Sequence, residues 1–140
     1  MDKLLMLLRR ENELDLQTMH SKNFDIEIYT DVLLGLNQIK HLKPKLIVID
    51  LATAKISGIE LLKIIRSNPA YYHTKIIITA KNFNMNVIEN AFNHGADYFL
   101  KYPFSIAELE KIYQTLKQLN DYTNIEYIAS QYSYDWAIEV

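Results

Sequence analysis

The sequence predicts an α/β fold, a doubly wound sheet of five parallel strands with helices on both faces. Three observations predict it. Short apolar runs alternate with helical periodicity along most of the chain, as expected of a parallel sheet with covering helices. Two of the runs, Leu46-Ile47-Val48-Ile49 and Lys75-Ile76-Ile77-Ile78-Thr79, are β-branched and lack polar alternation, which suits central strands buried on both faces. Right-handed crossovers leave few topologies for such a chain, and the strand order 2-1-3-4-5 is the economical one.

The elements follow in order. A first strand is expected at residues 3–8 and a first helix at 12–22. The second strand, 24–29, alternates in Asp25-Ile26-Glu27-Ile28-Tyr29 and belongs at an edge; a helix at 31–41 follows. Pro44 stands before the third strand, 45–49, where a helix must already have ended. The third helix, 58–67, carries the stripes Ile59/Leu62 and Leu61/Ile65 and is closed by Pro69. After the fourth strand, 75–79, a helix at 83–94 ends at Gly95, the place of a left-handed C-cap. The fifth strand spans 97–101 and the last helix 105–120. This is a flavodoxin-like arrangement.

Residues 1–120 are therefore assigned to one domain and 121–140 to a C-terminal extension or linker. In the extension Tyr132, Tyr134, Trp136, Ile138 and Val140 alternate with Ser133, Asp135, Ala137 and Glu139, a strand with one aromatic face, and 124–129 could pair with it. Three uses remain open: packing on its own domain, contact with a partner or second copy (a homodimer), or a lead into an effector domain.

Composition narrows the function. The 140 residues suffice to bury about two-thirds of the unfolded surface, so the domain needs no metal or disulfide to stand. There is no Cys, which excludes thiolate zinc sites and cysteine nucleophiles and agrees with a cytoplasmic location. The apolar stretch 4–8 is too short for a signal peptide core, and nothing approaches a membrane span. With 15 basic and 17 acidic residues the net charge is -2, and no basic stripe exists, so nucleic-acid binding by this domain is not expected. His20, His41, His73 and His94 show no ligand spacing, and three glycines cannot make a dinucleotide fingerprint. No metal site, cofactor or enzyme activity is expected, because the sheet edge offers one nucleophile and no general base.

That nucleophile is Asp50, which ends the third strand with Gly58 eight residues later. Open parallel sheets react at the carboxyl ends of their strands, although an Asp there also serves as a turn or N-cap residue. Phosphorylating a carboxylate needs the nucleophile, a magnesium ion held by other oxygens, and donors for the phosphoryl oxygens. Thr79, ending the fourth strand, would lie beside Asp50 as such a donor.

Taken together, Asp50, Gly58, Thr79-Ala80, Gly95-Ala96-Asp97 and Pro103-Phe104 resemble the CheY-like receiver domain of two-component response regulators, over residues 3–119. The resemblance implies signal transduction through a histidine kinase or a downstream effector protein, with Asp50 at the phosphoacceptor position. It also exposes departures. Receivers end the first strand with two acids that hold magnesium; here Arg9 and Arg10 occupy those places. At about 4 Å a unit charge pair is worth about 4 kcal/mol with an effective dielectric of about 20, so this reversal should abolish ordinary magnesium affinity. Two readings of the arginines stay open, solvated side chains or a guanidinium paired with Asp50. Glu11 or Glu13 could replace the acids only if the strand slipped in register.

The family's Lys before the proline also fails to align. Its place falls on Tyr102, and Lys101 stands one residue earlier, facing the other way unless the strand bulges. The Tyr102-Pro103 bond is expected to be cis, as the resemblance implies. Phe99 matches the aromatic switch position without a hydroxyl, Ala54 replaces a usual Pro, the first helix is about one turn short, and the loop between Thr79 and the fourth helix is one residue longer than usual. The site is thus expected to comprise Asp50 with Arg9, Arg10, Glu11, Ala52, Thr79, Lys101 and Tyr102, and the contact surface to be the fourth helix, fifth strand and fifth helix with Phe83, Phe99, Lys101, Tyr102 and Tyr113. The leading expectation is an atypical receiver acting by protein contact without conventional magnesium-dependent phosphorylation. The alternatives are a working phosphoacceptor at Asp50, with magnesium in an unconventional site, and the regulatory half of a DNA-binding response regulator.

Overall fold

A computed structural model describes residues 1–9, 19–53 and 55–118. Strands β1 (Asp2–Leu7), β2 (Phe24–Tyr29), β3 (Leu46–Asp50), β4 (Lys75–Ala80) and β5 (Tyr98–Lys101) form one parallel sheet in the order β2-β1-β3-β4-β5. The order is the expected one, with the alternating strand β2 at an edge and half-buried. Helices α1 (Val32–Leu42), α2 (Gly58–Arg66), α3 (Met85–Asn93) and α4 (Ile106–Gln118) connect or follow the strands, with a short 3-10 turn at Pro69–Tyr71. Of the helix expected at 12–22, residues 12–18 lie outside the described residues, and 19–22 are not helical. The extension 121–140 also lies outside them.

The period-two alternation of the central strands divides the interior into two cores. Leu46 and Val48 of β3 and Ile77 of β4 face Leu109, Tyr113 and Leu116 of α4. Ile47, Ile49, Ile76 and Ile78 face the other way, against Val32 and Ile39 of α1, Leu61, Leu62 and Ile65 of α2, and Ile88 and Ala91 of α3. Each such side chain contributes roughly 1.5–3 kcal/mol by leaving water, so the two layers hold the sheet from both faces. Tyr113 packs edge-on against Phe24, with ring centroids 5.0 Å apart. Burial, helped by the charge of Asp2, pushes its hydroxyl pKa up from the usual value.

Helix starts are set by side-chain caps: α2 begins at Gly58 as expected, and α1, α3 and α4 begin one or two residues after the expected positions. Asp31, Ser57 and Asn84 accept hydrogen bonds from the amides of Leu34, Glu60 and Val87. Ser105 and Glu108 form a capping box, the hydroxyl accepting from Glu108 N at 3.1 Å and the carboxylate from Ser105 N at 3.3 Å. At the end of α3, Gly95 has φ +102°, and the Gly95 and Ala96 amides donate to Phe92 O and Ala91 O, closing the helix as a Schellman motif. The expected C-cap role of Gly95 is thus observed.

Candidate functional site

Asp50 is the last residue of β3, and its parity with Leu46 and Val48 places it on the α4 side of the sheet. The residue is 7% exposed. Its Oδ1 accepts from the backbone amide of Ala52 at 2.9 Å and its Oδ2 from that of Arg9 at 3.4 Å. Two loops, after β1 and after β3, therefore hold the carboxylate by main-chain donors. This corrects the guanidinium reading for one arginine: Arg9 approaches Asp50 through its backbone, its residue is exposed, and no ion pair to Asp50 occurs among the described residues. Arg10, Glu11 and Ala54 lie outside the described residues.

Beside Asp50 opens a cleft of about 230 Å³ whose lining includes Arg9, Ala52, Lys81, Asn82 and Tyr102. Thr79 is the register partner of Asp50 and shares its face of the sheet. It is fully buried, and its hydroxyl has no hydrogen-bond partner among the described residues. Lys101 does not line the cleft, which corrects its inclusion in the site. It pairs in register with Ala80, whose side chain belongs to the opposite core, and so its own exposed side chain leaves the sheet away from Asp50. Tyr102 follows on the Asp50 side. Its amide donates to Ala80 O at 2.9 Å, which continues the ladder past β5, and the Tyr102-Pro103 peptide is cis.

Lys81 and Asn82 were not anticipated. Lys81 Nζ lies 5.6 Å from the centre of the Tyr102 ring, so a cation does stand at this rim, delivered by the loop after β4. The extra residue in that loop was the available signal. The aromatic residues expected at a contact surface are instead largely interior. Phe99, Tyr102 and Tyr113 are 1%, 5% and 5% exposed, Phe83 is half-buried, and Tyr113 faces Phe24 at the far edge of the sheet. Burial of these rings follows from strand and helix parity, which places them against the two cores.

Gly58 explains how α2 approaches the site so closely. A Cβ there would lie 2.7 Å from both Asp50 O and Leu51 Cα, which are backbone atoms, while Gly58 N donates to Leu51 O at 3.1 Å. Gly58→Ala is expected to cost roughly 1–3 kcal/mol, as overpacking against an immovable neighbour does. Urea denaturation measures the loss, and amide shifts at Ala52 would report displacement of the Asp50 loop.

The profile of the response regulator receiver domain matches residues 10–114 of this chain. The chain belongs to that family. Among related proteins, the receiver is 30% identical over 82 residues to the two-component response regulator ARR7 of Arabidopsis thaliana, a match covering 59% of this chain and 40% of that protein. It thus spans well under half of that relative's length. The chemotaxis protein CheY4 of Vibrio cholerae shares its fold, with a TM-score of 0.74 at 20% identity, covering 83% of this chain and 98% of that one. So does the receiver domain of the sensor histidine kinase PA1611 of Pseudomonas aeruginosa, whose structure has magnesium in the active-site cleft: TM-score 0.70, 20% identity, 82% and 96% covered.

Magnesium takes near-octahedral oxygen coordination, with one or two carboxylates and several waters. Asp50 is the one carboxylate lining this receiver's cleft among the described residues, and Arg9 lines it too. Among the described residues no group of three His, Cys, Asp or Glu side chains gathers anywhere. Among the described residues the cleft thus offers a cation a single carboxylate. No helix among the described residues is long and apolar enough to cross a membrane.

Proposed function

We propose that this receiver signals by protein contact and without conventional magnesium-dependent phosphoryl transfer, Asp50 serving as a fixed anchor between the loops after β1 and β3. Membership of the family makes a histidine kinase or a downstream effector the expected partner, met on the surface of α3, β5 and α4, where Lys101 is exposed at the strand end. The observation that carries this reading is the cleft lining: a lone described carboxylate, already bonded to the Ala52 and Arg9 amides, with an arginine where the family has an acid. A cation brought there would meet positive charge where it needs oxygen donors. Titration of the labelled protein with magnesium and beryllofluoride is expected to leave the Ala52, Thr79 and Lys81 amide resonances unmoved. Saturable shifts there that vanish in Asp50→Asn would overturn the reading.

One observation favours a second reading, phosphoacceptance at Asp50. The buried Thr79 hydroxyl beside it has no partner among the described residues and could donate to a phosphoryl oxygen. The same titration separates the two.

A further inference from the structure

The opposite edge of the sheet, where β3 and β4 begin, carries a cavity of about 470 Å³, roughly twice the volume of the Asp50 cleft. Its walls come from the end of α1 (Lys40), the segment entering β3 (Lys43, Pro44 and Lys45) and the segment entering β4 (Tyr71 and His73). The three lysines are exposed and make no ion pair among the described residues. Such a concentration of cations is not a reflection of the whole chain, whose net charge is -2.

Ordinary helix electrostatics explains part of it. The C-terminal end of α1 carries partial negative charge, which favours Lys40 and Lys43 nearby. Lys45 and His73 belong to strand entries and have no such reason to be there. Lys43 also adopts φ 47°, the left-handed region where glycine is the ordinary choice after a helix.

We propose that this cavity binds a small phosphate-bearing anion of nucleotide size, its phosphates held by Lys40, Lys43 and Lys45 and its flat apolar part lying against the half-buried Tyr71. The volume falls in the range of about 300–1,000 Å³ typical of small-molecule sites. Lysines serve as point charges for phosphate, and three of them border one concavity instead of forming the extended stripe a nucleic-acid backbone would need. The site is independent of the chemistry at Asp50, from which the whole length of the strands separates it.

Amide shifts and calorimetry on the full chain, titrated with adenosine diphosphate and with pyrophosphate at constant ionic strength, test this. Saturable shifts at Lys45 and Thr74 are expected, with adenosine diphosphate binding more tightly than pyrophosphate because only it can cover Tyr71. Lys43→Gly is expected to weaken binding by about tenfold, the order of one charge-assisted contact, while melting no lower than the parent because glycine suits φ 47°. Overturning results are an absence of saturation with both probes, unchanged affinity in Lys43→Gly, or shifts confined to Ala52 and Thr79 at the other edge.

Discussion

Phe99→Ala is expected to lower the unfolding free energy by roughly 3–5 kcal/mol, the range for deleting a buried ring and leaving its cavity. Phe99 is 1% exposed on β5 and packs in the core shared by α2 and α3. Its ring lies 5.0 Å from that of Phe83 at 57°. Phe83 directly precedes Asn84, the N-cap of α3, and shares that core with Ile88 in the helix's second turn, so the pair fixes how α3 enters the fold. Loss of the Phe99 ring should therefore loosen the start of α3 as well as β5. Equilibrium urea unfolding measures the cost, and hydrogen exchange at Val87 and Ile88 reports the helix. A loss below about 1 kcal/mol would return Phe99 to the surface role first expected of it, since exposed sites rarely cost more.

The second large effect is expected at Arg66. Its Nε donates to Gly95 O at 2.9 Å, Nη1 to Tyr71 O at 2.8 Å and Nη2 to Asp97 Oδ2 at 2.8 Å, and both side chains of the ion pair are mostly buried, 18% and 15% exposed. The same Asp97 oxygen accepts from Ile76 N at 2.8 Å, at the start of β4. One guanidinium thus ties the end of α2 to the 3-10 turn, to the cap of α3 and to the entry of β5. Arg66→Ala is expected to cost about 2–4 kcal/mol, below the full penalty of breaking a buried pair because Asp97 keeps its backbone donor. Arg66→Lys should recover less than half of it, for an ammonium cannot reproduce the planar three-way fork. Thermal and urea unfolding of both variants check the order Arg > Lys > Ala.

These two residues show what the sequence could and could not disclose. All five strands were legible, because continuous β-branched runs and the alternation at residues 25–29 differ physically between centre and edge. Gly95-Ala96-Asp97 was the strongest piece of the family resemblance, and the structure gives it a mechanical reason. Gly95 turns the chain at φ +102°, Ala96 completes the Schellman closure, and Asp97 receives Arg66. That clamp could not be read beforehand, because it joins residues 31 apart in sequence through side-chain reach. The starts of α1, α3 and α4 were displaced because apolar periodicity marks a face and not a cap; for α3, Asn84, three residues before Val87, was the overlooked signal.

At the candidate site, parity alone separated Tyr102 from Lys101, since adjacent strand residues point to opposite faces. What parity could not supply was the rim. Lys81 and Asn82 enter the cleft from a loop whose path no periodicity describes, and the exposed Arg9 meets Asp50 through its amide. The buried position of Tyr113 was a question of which side of α4 faces the sheet, and its contact with Phe24 decides it.

The central claim, an intact receiver fold around an acceptor position that does not turn over phosphate, is tested most directly by the intact mass of the full chain after incubation with magnesium and acetyl phosphate. The account predicts one unmodified species, the same for the parent and for Asp50→Asn. A mass increase of one phosphoryl group in the parent that is lost in Asp50→Asn would contradict it.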